Sequence, residues 1–404
     1  MSVGLGGAPL GRVAEVGGEL EERWRSLGYQ EGALPSLALA ALEKEALHRD
    51  FSVDGLVRWV AHARQLPRQA PHPAFGEPPV TLFVGRRLFI EALVWLDGTT
   101  TIHQHGFSGA FQVLAGSSIH VEHDFQPDQG SGGRVLLGAL RARGPELLTR
   151  GRTRPIVAGR SMIHSLFHLD RPSITLVVRT FAEPWCGPQY NYYAPGIACD
   201  PSSGEERLGR LLALLVALFG SESEGRVEVA RQVMASADLH SAIQVLDRLV
   251  VFGDVVSELV ELAAERHPAA APLLRRMVER RRRHEIILQW RRKTHVPDHR
   301  FLLALLLNVE QRAEILRIVA ERYPERDPVE LVAEWIREMS RRAGDGRGLG
   351  AFELEAVRGL LHGRPIEEIV AAVPRPELGG PLRALCAELQ KLRLFEPLFE
   401  TSGG

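Results

Sequence analysis

Between Val80 and Ala182 the chain changes texture, and that change limits the folds open to it. Short β-favouring runs follow one another: Val80–Val84, Leu88–Leu96, Ala110–Leu114, Ser118–Phe125, Val135–Leu140, Leu147–Leu148 and Ser173–Phe181. Gly98, Gly116 and Gly159 stand out in the intervening turns, and Gly130–Gly133 reads as an exposed hairpin tip. Several short strands at this spacing predict a sandwich or barrel.

The flanks read as helix. Ser36 is the expected N-cap of a stretch over Leu37–Leu47, and Ser52 of a second one whose Leu56, Val57, Val60 and Ala61 share a helical face. Pro67, Pro71, Pro73, Pro78 and Pro79 then mark a linker. After the barrel, Pro184 to Gly204 reads as a polar, proline-rich connector, and everything beyond it as helical. Asn308 with Gln311 resembles a capping box, and Asp327-Pro328 an N-cap and N1 pair. No fixed-period repeat is present. The expected organisation is a helical segment over 1–75, a barrel over 76–200 and an all-helical lobe over 205–404, an α+β chain.

Composition narrows the function classes. The net charge of -1 gives no global attraction to nucleic acid or an anionic membrane. The longest apolar run, Leu211–Phe219, is too short to span a bilayer. The segment Met1–Arg12 is Gly-rich and lacks the pattern of a secretory signal. Cys186, Cys199 and Cys386 have no CxxC spacing, which argues against a disulfide scaffold or a cysteine zinc site. A cytoplasmic, reducing setting is therefore expected. The arginines at 275, 276, 280–283, 291 and 292 with Lys293 could meet phosphate, but Glu279 and Glu285 interrupt them, and a solvated helix face is the expectation.

Chemistry concentrates in the segment Gly98 to Gly116. Alternate strand residues share a face, so His103 and His105 can reach one ion together. A later run, Gly159 to Pro172, holds His164 and His168 on one face, either of them a candidate third ligand. Imidazoles suit Fe, Zn, Cu or Ni; an all-oxygen Mg or Ca site does not fit. His120, Glu122 and His123 also look metal-like, but the first two lie on the face opposite His123, and a solvated strand is expected. Gln112 is expected to point into or near the barrel. Tyr190, Tyr192 and Tyr193, beside Trp185 and Cys186, are read as packing the connector onto it rather than capping its mouth.

These segments resemble the two motifs of the cupin superfamily. In the first, His-x-His is followed by three or four residues, a Glu, six residues and a Gly; here Gly109 stands in the Glu position and Gly116 closes the motif. The second motif supplies a further His, best matched by His164. The missing carboxylate is similar to the thiol dioxygenases, the cysteine-dioxygenase-like group with iron on three histidines, and Trp95 and Pro172 agree with that group.

The resemblance implies a double-stranded β-helix (jelly-roll) barrel, and Fe(II) with three neutral ligands and open positions for a thiolate and O₂; Zn, Mn or Ni are the lesser alternatives. It also implies an upstream arginine clamp, for which Pro79–Thr81 has no match and Arg86 and Arg87 are shifted. The group's Ser-His-Tyr triad falls on Thr175, Val177 and Arg179.

The expected function is a mononuclear non-haem Fe(II) oxygenase acting on a small thiol or amino-acid-like substrate. Arg179, Thr175 and His168 are the candidate catalytic residues, and His103, His105 and His164 hold the metal. Two alternatives remain: a Zn, Mn or Ni isomerase or lyase, favoured by a carboxylate such as Glu91 reaching the metal, and a non-catalytic sensor acting through its helical lobe. The expected partners are a small substrate and O₂, without membrane or nucleic acid, with a homodimer as the option for assembly. Scattered histidines at 240, 267, 284, 295, 299 and 362 give the lobe no second site.

Overall fold

The computed structural model describes residues 8–69, 76–96, 101–130, 132–181, 183–201, 206–221, 223–253, 255–343, 349–373 and 376–399. Pro71, Pro73, Gly98, Ala182 and Gly204, named above, lie outside these residues. The chain divides into two compact units. One comprises Met1–Arg143 with Leu147–Glu206; the other comprises Gly144–Glu146 with Arg207–Gly404.

Among the described residues of the first unit three helices, α1 (Ala8–Ser26), α2 (Leu34–Glu45) and α3 (Val53–His62), precede eleven strands. These are β1 (Pro79–Val84), β2 (Leu88–Trp95), β3 (Ile102–His105), β4 (Gly109–Ala115), β5 (Ser118–Pro127), β6 (Val135–Leu148), β7 (Thr153–Ile156), β8 (Gly159–His168), β9 (Ser173–Thr180), β10 (Asn191–Tyr193) and β11 (Ile197–Cys199). Five of them form a sheet in the order β1-β2-β9-β4-β7, and the other six close an antiparallel barrel in the order β10-β11-β6-β5-β8-β3.

Strands β2, β4 and β9 are buried on both faces, which is why they read as near-continuous apolar runs. Leu88, Ile90, Ala92, Ala110, Leu114, Ile174, Leu176 and Val178 pack with Leu34, Ala38, Leu42 and Leu56 of the helices. The alternate residues Leu93, Phe111, Val113 and Val177 pack instead with Leu148, Met162 and Leu166. The five-stranded sheet is thus covered by helices on one side and faces β6 and β8 across a second apolar core. Outside that core, Leu136, Ile163, Tyr190, Tyr192 and Ala198 form a third cluster.

Several expectations need correction. Ser36 lies inside α2, which starts at Leu34 with Pro35 in its first turn. Ser52 does cap α3, accepting from the Gly55 N–H at 3.0 Å. Of the face expected on α3, Leu56 alone is buried; Val57 and Val60 are exposed. The connector contributes β10 and β11 to the barrel, because pairing with β3 and β6 supplies hydrogen bonds that its polar sequence does not advertise. Gln112 is fully buried but turns away from the inner core; its amide donates to the Leu42 carbonyl of α2 and to Thr153 Oγ1, both at 3.1 Å.

The second unit is helical. Its helix Pro297–Asn308 is buried on all sides from His299 to Leu307, the pattern of a core helix. Asn308 ends that helix and Gln311 precedes the next without a side-chain cap bond, so the expected capping box is absent. Asp327 caps as expected, accepting from Val329 and Glu330 N–H groups. The arginines of helix Ala271–Lys293 are largely committed within the unit: Arg275 to Glu261, Arg280 to Glu310, Arg281 to Asp247 and Arg283 to Glu396. They are paired on a solvated face, as expected: Arg275, Arg276 and Arg280 are exposed. Among the described residues no helix is long and apolar enough to cross a membrane.

Gly109 sets a local limit. A Cβ built there would stand 1.8 Å from the Val178 carbonyl oxygen, because β4 and β9 approach closely at this pair. Gly109→Ala is expected to destabilise the first unit by more than about 2 kcal/mol, since the strands must part. Gly18→Ala on α1, where a Cβ meets nothing within 4 Å, should be neutral or stabilising by up to ~1 kcal/mol. Thermal denaturation of both variants checks the contrast.

Candidate metal centre

The site depends on the pairing of β3 with β8, in which His103 lies directly opposite His164. The register shifts between Gln104 and His105, and this irregularity brings His105 opposite Gly159. One potential ligand nitrogen from each of His103, His105 and His164 lies within 4.8 Å of the other two, and all three residues are buried. His105 Nε2 and His164 Nε2 are 2.8 Å apart. Metal–imidazole bonds of about 2.0–2.1 Å put neighbouring ligand nitrogens at roughly 3 Å, so the spacing fits a shared ion. No carboxylate belongs to this group among the described residues.

Burial, first, and the neighbouring imidazoles, second, hold the His105 and His164 rings well below the usual histidine range; burial also lowers His103. The rings are therefore neutral at physiological pH and present lone pairs. For His103 the tautomer follows from geometry. Its Nδ1 is 2.7 Å from the Thr101 carbonyl oxygen, which can only accept, so Nδ1 carries the proton and Nε2 the lone pair.

His120 was not expected here. It is 1% exposed, and its Nε2 lies 2.9 Å from His164 Nδ1. The solvated reading of β5 holds no further than its half-exposed Glu122 and His123. Alternation places His120 and Glu122 on one face, but which strand that face meets is a long-range fact: β5 pairs with β8, Glu122 opposite His164.

The candidate catalytic residues do not converge. Arg179 is at one end, its guanidinium 4.1 Å from the Phe107 ring centroid and 4.7 Å from that of Phe89. Phe107 in turn lies 4.5 Å, ring to ring, from His105. Among the described residues the charged partner of Arg179 is the buried Glu91, at 3.5 Å from Nε. Burial raises the Glu91 carboxyl and lowers the Arg179 guanidinium, each partly offset by the other. Glu91, paired in this way, is not part of the histidine group.

Thr175 lies four residues from Arg179, about 13 Å along an extended strand. Its hydroxyl accepts the Trp95 indole N–H at 3.1 Å. Trp95 stacks on His168 at 4.4 Å, and His168 Nδ1 bonds Ser118 Oγ at 3.0 Å. Burial pushes His168 down to about 3. Of the two candidates for third ligand, His164 joins the group and His168 does not.

No family model matches the sequence, and no curated protein matches it. Among solved structures, one of DMSP lyases is 19% identical over 44% of this chain and 94% of its own, with a TM-score of 0.24. Hydroquinone 1,2-dioxygenase PnpCD with Cd2+ and 4-hydroxybenzonitrile is 18% identical over 31% of this chain and 69% of its own, with a TM-score of 0.20. Oxalate oxidase is 12% identical over 51% and 83%, also with a TM-score of 0.20. Likeness this low carries no argument for the fold or the reaction, which rest on the geometry above.

The geometry predicts one divalent ion per chain. A His103→Ala, His105→Ala double variant should lose it, because a lone imidazole cannot hold a divalent ion against buffer. Elemental analysis of anaerobically purified protein is the check; a full equivalent of metal in the double variant would place the ion elsewhere.

Proposed function

We propose that this chain is a mononuclear non-haem Fe(II) enzyme of the three-histidine cupin type, built on a double-stranded β-helix, that uses O₂ to oxidise a small anionic thiol or amino-acid-like substrate. The observation that carries this reading is the group of three buried, neutral imidazoles without a carboxylate. Bound Fe(II) supplies open coordination positions for a substrate donor and O₂.

The chain's own residues define the substrate. A divalent ion and Arg179 bring three positive charges to a buried space, and Glu91 offsets one of them. A substrate with two anionic groups, such as a thiolate and a carboxylate, balances the remainder. Glu91 engages the Arg179 guanidinium by a single long contact, and Phe89 and Phe107 flank its faces, which leaves the planar fork to meet a carboxylate edge-on. Thr175, Trp95, His168 and Ser118 form a bonded and stacked chain at the other end. In this reading they limit substrate length and keep water out, and Arg179 sets orientation.

Oxygen uptake with the iron-loaded protein, screened against small thiols and amino acids with a carboxylate, tests the reaction. Uptake with a carboxylate-bearing thiol and none with its neutral amide is the expected result. A protein that retains zinc or manganese and consumes no O₂ would instead be the isomerase or lyase class. Arg179→Lys keeps the charge and loses the fork. KM should rise about tenfold or more, as one charge-assisted hydrogen bond of ~1.5 kcal/mol is lost, with a smaller change in kcat. Unchanged kinetics would remove Arg179 from the substrate site.

A further inference from the structure

The three imidazoles of the group are not held alike. His103 is fixed by a backbone carbonyl, as its Nδ1 faces Thr101 O at 2.7 Å. His164 has no such anchor: its Nδ1 faces the Nε2 of another histidine, His120, at 2.9 Å, and its Nε2 faces His105 Nε2 at 2.8 Å. The His164 ring therefore has two nitrogens in two contacts, and one proton to place. With the proton on Nε2 the lone pair points away from the ligand group, and His164 cannot bind an ion shared with His105. With the proton on Nδ1 the Nε2 lone pair points into the group.

We propose that His120 is the positioning residue that selects this second state, by accepting the His164 Nδ1–H at its own Nε2 and so aiming the His164 Nε2 lone pair at the metal. The inference deepens the metal-enzyme reading and rests on it. Four observations support it. His120 is 1% exposed, so water does not compete for its nitrogen. Its strand is hydrogen-bonded to that of His164, with His120 opposite Leu166 and Glu122 opposite His164, so the rings share a face at fixed spacing. The two ring planes meet at 75° with centroids 5.0 Å apart, an edge approach that suits an in-plane N–H aimed at an in-plane lone pair. Phe111 stands 6.1 Å from His120 and 6.4 Å from His164, closing the apolar side of both rings.

The chemical consequence concerns charge. Metal-bound histidines commonly donate to a carboxylate, a backbone carbonyl or water. An imidazole lone pair as acceptor fixes the orientation and adds no negative charge beneath the ligand. The centre thus keeps the full positive charge of the ion, in line with its lack of a carboxylate ligand.

The test uses the full chain, stripped of metal and titrated with Co(II), whose visible absorption reports ligand geometry. His120→Leu removes the acceptor at similar bulk and should weaken Co(II) binding about 10- to 100-fold. His120→Gln, whose amide reaches roughly the place of the lost Nε2, should restore binding to within a few-fold of wild type. Melting of the metal-free proteins separates positioning from packing: it should be alike for the Leu and Gln variants, while Co(II) affinity divides them. Equal affinity in wild type and His120→Leu would overturn the proposal, as would equal losses in the Leu and Gln variants.

A readout without any substitution guards against misfolding. In histidine-labelled wild type loaded with Zn(II), nitrogen NMR should show the His164 proton on Nδ1; a protonated Nε2, or Zn(II) bound through Nδ1, would also overturn it. His105→Ala is the control for the underlying reading. If that variant binds Co(II) as wild type does, the three-histidine site itself has failed; if it loses Co(II) while His120→Leu does not, the error lies with His120 alone.

Discussion

The alignment of β3 against β8 is the constraint on which the site depends. His103 and His164 come from chain positions sixty-one residues apart and meet only because the two strands pair with those residues opposite each other. Side chains alternate with period two, so a slip of one residue on either strand would carry its histidines to the other face. That other face holds Gln104 and Ile163, and it is occupied: the Gln104 amide donates to the Pro188 carbonyl at 2.7 Å and accepts the Tyr192 hydroxyl, while Ile163 packs with Tyr190 and Tyr192. The connector that closes the barrel thus also fixes the register of the ligand strand. A slipped β3 would bury two imidazoles in an aromatic cluster and strand a glutamine in the inner core.

The same arrangement explains how a dry space can hold charge. The imidazoles are neutral because burial removes the water that would stabilise their protonated forms. Arg179 keeps its charge in part through the carboxylate of Glu91 and in part through the faces of Phe89 and Phe107. Glu91, with its carboxyl raised by burial, is drawn partly back toward its ionised form by the same contact. Each member is stable there because of the other, and removing either leaves a buried charge uncompensated, a worse state than the absence of both.

How much of this was legible in the sequence follows the range of the interactions involved. Strand runs such as Leu88–Trp95 and the His-x-His segment are local patterns, and they stand where the period predicted. So do Ser52 and Asp327, whose caps span three residues. Strands β10 and β11 are three residues each in a polar, proline-rich stretch; they exist because β3 and β6 offer edges, and nothing in their own composition says so. His120 fails for the same reason, because its partner is forty-four residues away. Arg179 and Thr175 were grouped because the resemblance implies a triad on this strand, where alternate residues share a face. Sharing a face does not bring two residues to one substrate, since four extended residues separate them by more than a small molecule's length.

Gly109 shows how packing can decide chemistry. Its position in the motif is the one where a carboxylate ligand would be expected, and a simple substitution might be thought to have removed it. The structure places the Val178 carbonyl where any side chain at 109 would begin. The strand pair Gly109–Arg179 therefore closes more tightly than a Cβ allows, and the same pairing sets Arg179 on the inner face of β9. The close approach excludes a carboxylate at 109, and Arg179 is the residue that the register sets opposite it. A chain that recovered the acid here would have to open β4 from β9 and so shift the cation beside it. In this fold the absence of a side chain at 109 belongs to the same strand pair that carries Arg179, and three buried imidazoles with a guanidinium on the neighbouring strand are the combination that such packing permits.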